Sequence, residues 1–353
     1  MLKMFERKGA FVVVFFLATL SLFARQTLFG VDSYGWKSYV CSGWGETFFA
    51  SNPLAILFFD LMPRSMLFFK ALMFGSLVLS LWFLFKIVWD NYGERIAWSS
   101  ILFLLALSPM VLFEFGKFEN ELLAYPIIIF GIYCFLNKKW FEGVVSFIAS
   151  LVFWGWPYYL TTFGGPVLEQ QYFSGMLLLF GLIFCVPMIF LSKRKDILVG
   201  GLVSVGLFLL NMKFFVFLLP FLVFGIAEAV KLLDKRLLLH KYAFLIAFFL
   251  LICWNLAFFI ATPSVWEQQI VVDSVEMQKD LNIPIYNDWS YGYWLIDNGF
   301  ETENHPGQNQ DYNYSELEKP FLALTKEDLS TQGCELINSS SSFTRSVNLW
   351  KCE

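Results

Sequence analysis

The stretch FGKFENELL, residues 115–123, sets Glu119 and Glu121 one residue apart between two segments apolar enough to cross a bilayer. Acidic side chains are favoured at a helix N-terminus, where they face the positive end of the dipole. A pair at a loop-to-helix junction could also bind a hard divalent cation, Mg2+ or Mn2+, which takes oxygen ligands. Residues two apart on a regular helix do not face each other, so both reach one ion only if the chain is still unwound near Glu119 or Asn120. A third acid, Asp32 in VDSYGWKSYV, follows the first apolar run and is flanked by Tyr34 and Trp36, residues that also suit an aromatic belt. Lys213 in NMKFFVFLLP stands ahead of an uncharged run. Its ammonium could snorkel to the interface, or it could meet a lipid phosphate. A metal and a lysine beside such a phosphate would together stabilise it as a leaving group.

The elements that must position these groups follow from composition. Of 353 residues, 58% are hydrophobic, 20% aromatic and 15% charged, and the apolar runs are long enough to cross the ~30 Å hydrocarbon core. This predicts a polytopic α-helical membrane protein, with spans near 9–30, 67–88, 97–114, 121–136, 142–160, 173–191, 197–212, 213–230 and 242–262. The fourth and seventh are short enough to be half-helices. Lys3, Arg7 and Lys8, then Lys138 and Lys139, then Lys193, Arg194 and Lys195, then Lys231, Lys235, Arg236 and Lys241 fall in alternate loops. Basic loops stay cytoplasmic, so the N-terminus is expected inside and the C-terminal region outside the cell membrane. Asp32, Glu119 and Glu121 then share the outer surface. Arg25-Gln26-Thr27 is a poor cleavage site, and the first span reads as an anchor.

The chain divides into a membrane domain, 1–262, and an acidic external domain, 263–353, which carries 15 Asp/Glu against 5 Lys/Arg. Its net −10 within a chain of net −4 leaves +6 for the membrane part. NIPIYNDW, FLALT, CELIN and SVNLWKC read as strands and SYGYWLIDNG as a short helix, a small α/β module. Cys334 and Cys352 bracket the closing hairpin, and an oxidising exterior would let them join; two unpaired thiols are the alternative. No zinc-type cluster, phosphate loop or dinucleotide signature is present.

Taken in chain order, these pieces resemble the catalytic subunit of oligosaccharyltransferase, in a short, divergent form of the single-subunit archaeal or bacterial type, within the GT-C superfamily of membrane glycosyltransferases. The family's first external loop begins with an Asp and aromatics, as in Asp32 of DSYGW. Its acid-x-acid motif is similar to Gly116, Phe118, Glu119 and Glu121 of GKFENE, and its Trp-Gly pair to Trp154-Gly155 with Tyr158. Its basic residue seven before a Pro matches Lys213 and Pro220, with Lys replacing Arg. Its WWDYG motif resembles DWSYGYWL, where Asp288 stands for the first Trp and Ser290 for the Asp. The family's long external loop bearing a Glu has no room between Lys195 and Lys213, and Glu169 lies elsewhere. Donor chemistry is therefore carried over further than acceptor identity.

The resemblance implies an enzyme that moves a sugar or oligosaccharide from a polyprenyl or dolichyl (pyro)phosphate lipid to an acceptor on the outer face, protein asparagine in the family. Asp32, Glu119 and Glu121 would be catalytic and hold Mg2+ or Mn2+, and Lys213 would bind the donor phosphate. Trp289, Ser290, Tyr291 and Gly292 would bind the acceptor. The alternatives are a polyprenyl-monophosphate-sugar-dependent transferase acting on a lipid-linked glycan, and a non-enzymatic transporter or scaffold. The bilayer is an expected partner and nucleic acid is not. Asn313-Tyr314-Ser315 and Asn338-Ser339-Ser340 are sequons in the external domain.

Overall fold

The computed structural model describes residues 53–119, 121–154, 194–234, 237–262, 264–298, 313–341 and 346–353, with isolated positions at 19, 23, 24, 27, 28, 37, 187, 189 and 190. The chain is mostly helical with a small C-terminal sheet. It forms two compact units, residues 1–24 with 48–259 and residues 25–47 with 260–353. The second unit thus includes a segment ahead of the membrane helices. Within it, the Lys37 ammonium lies 2.6 Å from the Asp297 carboxylate.

The described helices of the first unit are α1 (Pro53–Asp60), α2 (Met66–Tyr92), α3 (Glu94–Leu107), α4 (Pro109–Glu114), α5 (Glu121–Leu136), α6 (Trp140–Trp154), α7 (Lys195–Leu210), α8 (Phe215–Asp234) and α9 (Leu237–Ala261). Among the described residues, three helical stretches are long and apolar enough to cross a membrane: Met66–Tyr92, Phe215–Leu233 and Tyr242–Leu281. Glu121–Leu136 and Trp140–Trp154 are shorter apolar helices. The expected spans 9–30 and 173–191 fall mostly outside the described residues, as does the end of 142–160.

Helix ends follow local chemistry. Ser65 caps α2 by accepting from the Phe68 N–H, and Gly93, at φ 86°, closes it where a side chain would be strained. The apolar run 97–114, expected as one span, breaks between α3 and α4 at Ser108 (φ −124°, ψ 83°). The residue before a proline is driven out of the α region, and Pro109 follows. Ala106 lies in the last turn of α3, where carbonyls lose their helical donors; the Trp254 indole of α9 donates to it at 2.7 Å.

A second proline raises the same problem inside α5. Pro126 has no N–H to give the Leu122 carbonyl one turn earlier. The Ser76 hydroxyl of α2 donates to that carbonyl at 2.5 Å. An apolar surround offers no water for such a group, so this bond fixes the first turn of α5, which starts at Glu121, against α2.

In the second unit, α10 (Val265–Leu281) opens with a capping box between Ser264 and Glu267 and closes at Asn282 in the left-handed conformation. Then come β1 (Ile285–Asn287), α11 (Trp289–Asp297), β2 (Phe321–Thr325), β3 (Cys334–Ser341) and β4 (Ser346–Cys352). The sheet order is β1-β2-β4-β3, with β1 parallel to β2 and the other pairs antiparallel. Tyr314, Phe321, Ala323, Leu329 and Trp350 fill its core, together with Cys334 and Cys352. Those two cysteines are directly paired in the β3–β4 ladder and disulfide-bonded, 18 residues apart in sequence.

Two outcomes follow. Ser76→Ala leaves the buried Leu122 carbonyl without this donor and is expected to lower stability by about 1–3 kcal/mol, read as a lower unfolding midpoint in detergent; an unchanged midpoint would refute the role given to Ser76. Reduction of the Cys334–Cys352 bond is expected to remove on the order of 3 kcal/mol from the second unit for a loop of this length. Alkylation before and after reduction, followed by peptide mass spectrometry, checks that both thiols are blocked beforehand.

Candidate functional site

The acid pair sits where the chain is broken. Residues 115–119, between α4 and α5, are outside any helix, and α5 begins at Glu121. The Leu122 N–H reaches back to the Glu119 carbonyl at 3.2 Å. The chain is therefore still unwound at Glu119, so Glu119 and Glu121 are not set two apart on one regular helix. Gly116 makes it compact, because a Cβ there would lie 2.4 Å from the Phe258 ring and 2.8 Å from the Leu112 carbonyl oxygen. Phe118 stacks on Phe69 at 4.5 Å and contacts Phe59 at 5.5 Å, pinning the turn to α2 and α1.

Around this turn lies a buried set of charges. Lys117 Nζ is 3.1 Å from Glu114 Oε2 and 3.6 Å from Glu119 Oε1. Tyr125 of α5 donates its hydroxyl to Glu114 Oε2 at 3.3 Å. Lys213 Nζ donates to Glu121 Oε1 at 2.7 Å. Glu114, Lys117, Glu119 and Glu121 are each at most 7% exposed, whereas the Lys213 side chain keeps 19%. Lys213 is the member of the set that reaches solvent most.

Lys213 is aimed by a tight connection. Helix α7 ends at Asn211, and residues 212–214 form a single 3-10 turn before α8. The buried Asn211 side chain accepts from the Lys213 N–H at 3.0 Å, and its carbonyl accepts from Phe214 N–H at 3.0 Å. Asn and Asp favour such local bonds over helix continuation. Trp154, at the end of α6, stands 5.8 Å from Tyr125 and 6.3 Å from Phe214, ring centre to ring centre. Segments distant in sequence thus meet at one place: Glu114–Glu121, Trp154 and Asn211–Lys213.

Asp32, the third acid of the expected set, lies outside the described residues, as do Gly155, Tyr158 and Glu169. Among the described residues, no group of three or more His, Cys, Asp or Glu side chains is arranged to hold a metal ion. Glu119 and Glu121 each face a lysine ammonium instead. With Glu121 so engaged and Asp32 outside the described residues, a divalent cation at this site would have to displace Lys213 from Glu121.

In the second unit, the DWSYGYW stretch caps and forms α11, with Asp288 as its N-cap. The Trp289 and Ser290 side chains lie outside the described set. Tyr291 is 1% exposed and donates its hydroxyl to the Ser346 carbonyl, and Gly292 is buried. Tyr291 therefore serves the module's own core here. Asp288, which replaces a Trp of the resembled motif, accepts from the Tyr314 hydroxyl (3.1 Å), the Thr325 hydroxyl (2.8 Å) and the Lys326 N–H (2.9 Å). Burial, then the adjacent Asp288 carboxylate, pushes the Tyr314 phenol well above its usual range, so it stays a donor.

Sequence reasoning gave no role to Glu114, Lys117, Tyr125 or Asn211. Lys117 lay inside the quoted acidic stretch, and a lysine two residues from a carboxylate in an apolar setting was the available signal. Comparison with known proteins returned no matching family model, curated sequence or solved structure.

Lys213→Met is expected to cost about 3–5 kcal/mol by leaving Glu121 buried opposite an apolar side chain, and Glu121→Gln/Lys213→Met to recover most of it. Unfolding midpoints of wild type, the two single variants and the double variant in one detergent decide this; additive losses would show that the two groups are not paired.

Proposed function

We propose that this chain is a membrane glycosyltransferase of the GT-C type, moving a sugar or oligosaccharide from a polyprenyl (pyro)phosphate to an acceptor on the outer face. The reading rests on one observation above the others: Lys213 Nζ lies 2.7 Å from Glu121 Oε1, across 92 positions of sequence. The basic residue seven before Pro220 and the acid-x-acid junction were singled out independently, and they share one site. In support, that site lies where helices are broken, and the Lys213 side chain is partly open.

In the proposed reaction the acceptor atom bonds to the anomeric carbon. The bond from that carbon to the lipid phosphate oxygen breaks, leaving its electron pair on the phosphate. Lys213 neutralises the departing phosphate, and Glu121 keeps the ammonium charged and oriented until it arrives. The acceptor's proton passes to a carboxylate, for which Asp32 is the proposed residue. The nine-span architecture and the outward C-terminal module belong to this same reading.

Protein asparagine is the acceptor the resemblance implies. A lipid-linked glycan is the second reading, and a specific observation favours it: the Asp288 and Tyr291 side chains are engaged in holding the module together.

The test is incubation of the purified protein with a labelled polyprenyl-phosphate sugar, a sequon peptide and a lipid-linked glycan, with and without a chelator. Label on peptide or on glycan identifies the acceptor, and sensitivity to the chelator reports on the divalent ion expected from the acids. Lys213→Ala is expected to lower kcat/KM about a hundredfold or more, equivalent to roughly 3 kcal/mol of lost transition-state stabilisation. No transfer to either acceptor from any donor, or full activity in Glu121→Gln, overturns the reading in favour of a transporter or scaffold.

A further inference from the structure

The buried charge set contains a pair that the proposed reaction does not use. Glu114 closes α4, and Lys117 follows three residues later in the turn. Glu114 Oε2 is held from two sides, by Lys117 Nζ at 3.1 Å and by the Tyr125 hydroxyl at 3.3 Å. Lys117, its side chain only 6% exposed, extends from this anchor to Glu119 Oε1 at 3.6 Å. A buried ion pair contributes little more to stability than well-packed apolar side chains of the same volume. Fold stability alone is thus a weak reason for three buried carboxylates and a nearly buried lysine at this turn. A fixed carboxylate beside a reacting centre has a different use, because a displacement as small as 1 Å can slow a reaction a hundredfold.

We propose that Lys117 is a positioning residue, and that Glu114 and Tyr125 are its anchor. The chain Tyr125–Glu114–Lys117–Glu119 runs from the first turn of α5 back to the unwound segment. It sets the side-chain direction of Glu119 relative to Glu121, which the Ser76–Leu122 bond holds from the other side. Lys117 therefore acts on turnover through Glu119, one of the acids that the resemblance makes catalytic, and does not itself bind donor. This rests on the glycosyltransferase reading, of which it names a further part.

The experiment uses the full-length protein, measuring both the unfolding midpoint and donor kinetics for wild type, Lys117→Met, Glu114→Gln, Glu114→Gln/Lys117→Met and Lys117→Arg. Lys117→Met is expected to be destabilised because Glu114 loses its cation, and the double variant to regain most of that loss. In the double variant kcat should stay about tenfold or more below wild type with donor KM within about twofold, the pattern of a lost transition-state interaction. Lys117→Arg should return part of kcat. If the double variant recovers both stability and kcat, the pair only holds the fold and the proposal is overturned. A raised donor KM with unchanged kcat overturns it too, by making Lys117 a donor-binding group. Absence of transfer in wild type defeats the glycosyltransferase reading and the positioning role together, while the stability cycle still reports whether Glu114 and Lys117 are paired.

Discussion

Charge taken out of water must find its partner within the protein, and that requirement organises the membrane unit around the turn at 115–119. Glu114, Lys117, Glu119 and Glu121 are nearly buried, and Lys213 is partly so. A carboxylate stripped of hydration and unpaired would cost several kcal/mol. Each of these acids is instead within reach of an ammonium group. The constraint links elements that the chain keeps far apart. Helix α8 must be placed so that the turn before it delivers Lys213 to Glu121, and α5 so that Tyr125 reaches Glu114.

The same demand applies to the backbone. Pro109 breaks one apolar helix at Ser108, ahead of α4, and Pro126 weakens another inside α5, so the two flank the irregular segment that carries Glu119. Each break frees carbonyls that lipid cannot satisfy. Here side chains from other helices supply the donors: Trp254 of α9 for Ala106, and Ser76 of α2 for Leu122. Residues 115–119 are held separately, by Phe118 against Phe69 and Phe59 and by the Lys117 ion pairs. Gly116 contributes by absence, since a methyl group there would meet both Phe258 and the Leu112 carbonyl.

The second unit is stabilised by different means. It is small, and its core is reinforced by a disulfide across β3 and β4 and by Asp288, which ties the start of α11 to β2 and to Tyr314. A motif that reads as a binding surface along the chain is partly spent on this work. Tyr291 points its hydroxyl to Ser346 inside the module, and Trp294 is buried beside it.

Much of the architecture was legible in residue type and order. Apolar runs gave the helices at 67–88, 121–136, 197–212 and 213–230 to within a few residues, because a long apolar run must satisfy its backbone groups within itself, which a helix does. The module's strands were legible as short, largely apolar runs bounded by polar turns, and Cys334 and Cys352 from their place at the two ends of the closing hairpin. The break at Ser108 was missed, since a continuous apolar run hides a proline effect that acts through the preceding residue. The candidate site was legible as separate parts, Glu119, Glu121 and Lys213. What only the tertiary structure decided was their company: that Lys213 meets Glu121, that Lys117 turns inward to Glu114 and Glu119, and that Ser76 replaces the bond Pro126 cannot make. Residue type fixes what a group can do in water or lipid, but which partner it finds depends on long-range packing, and no local pattern encodes that distance.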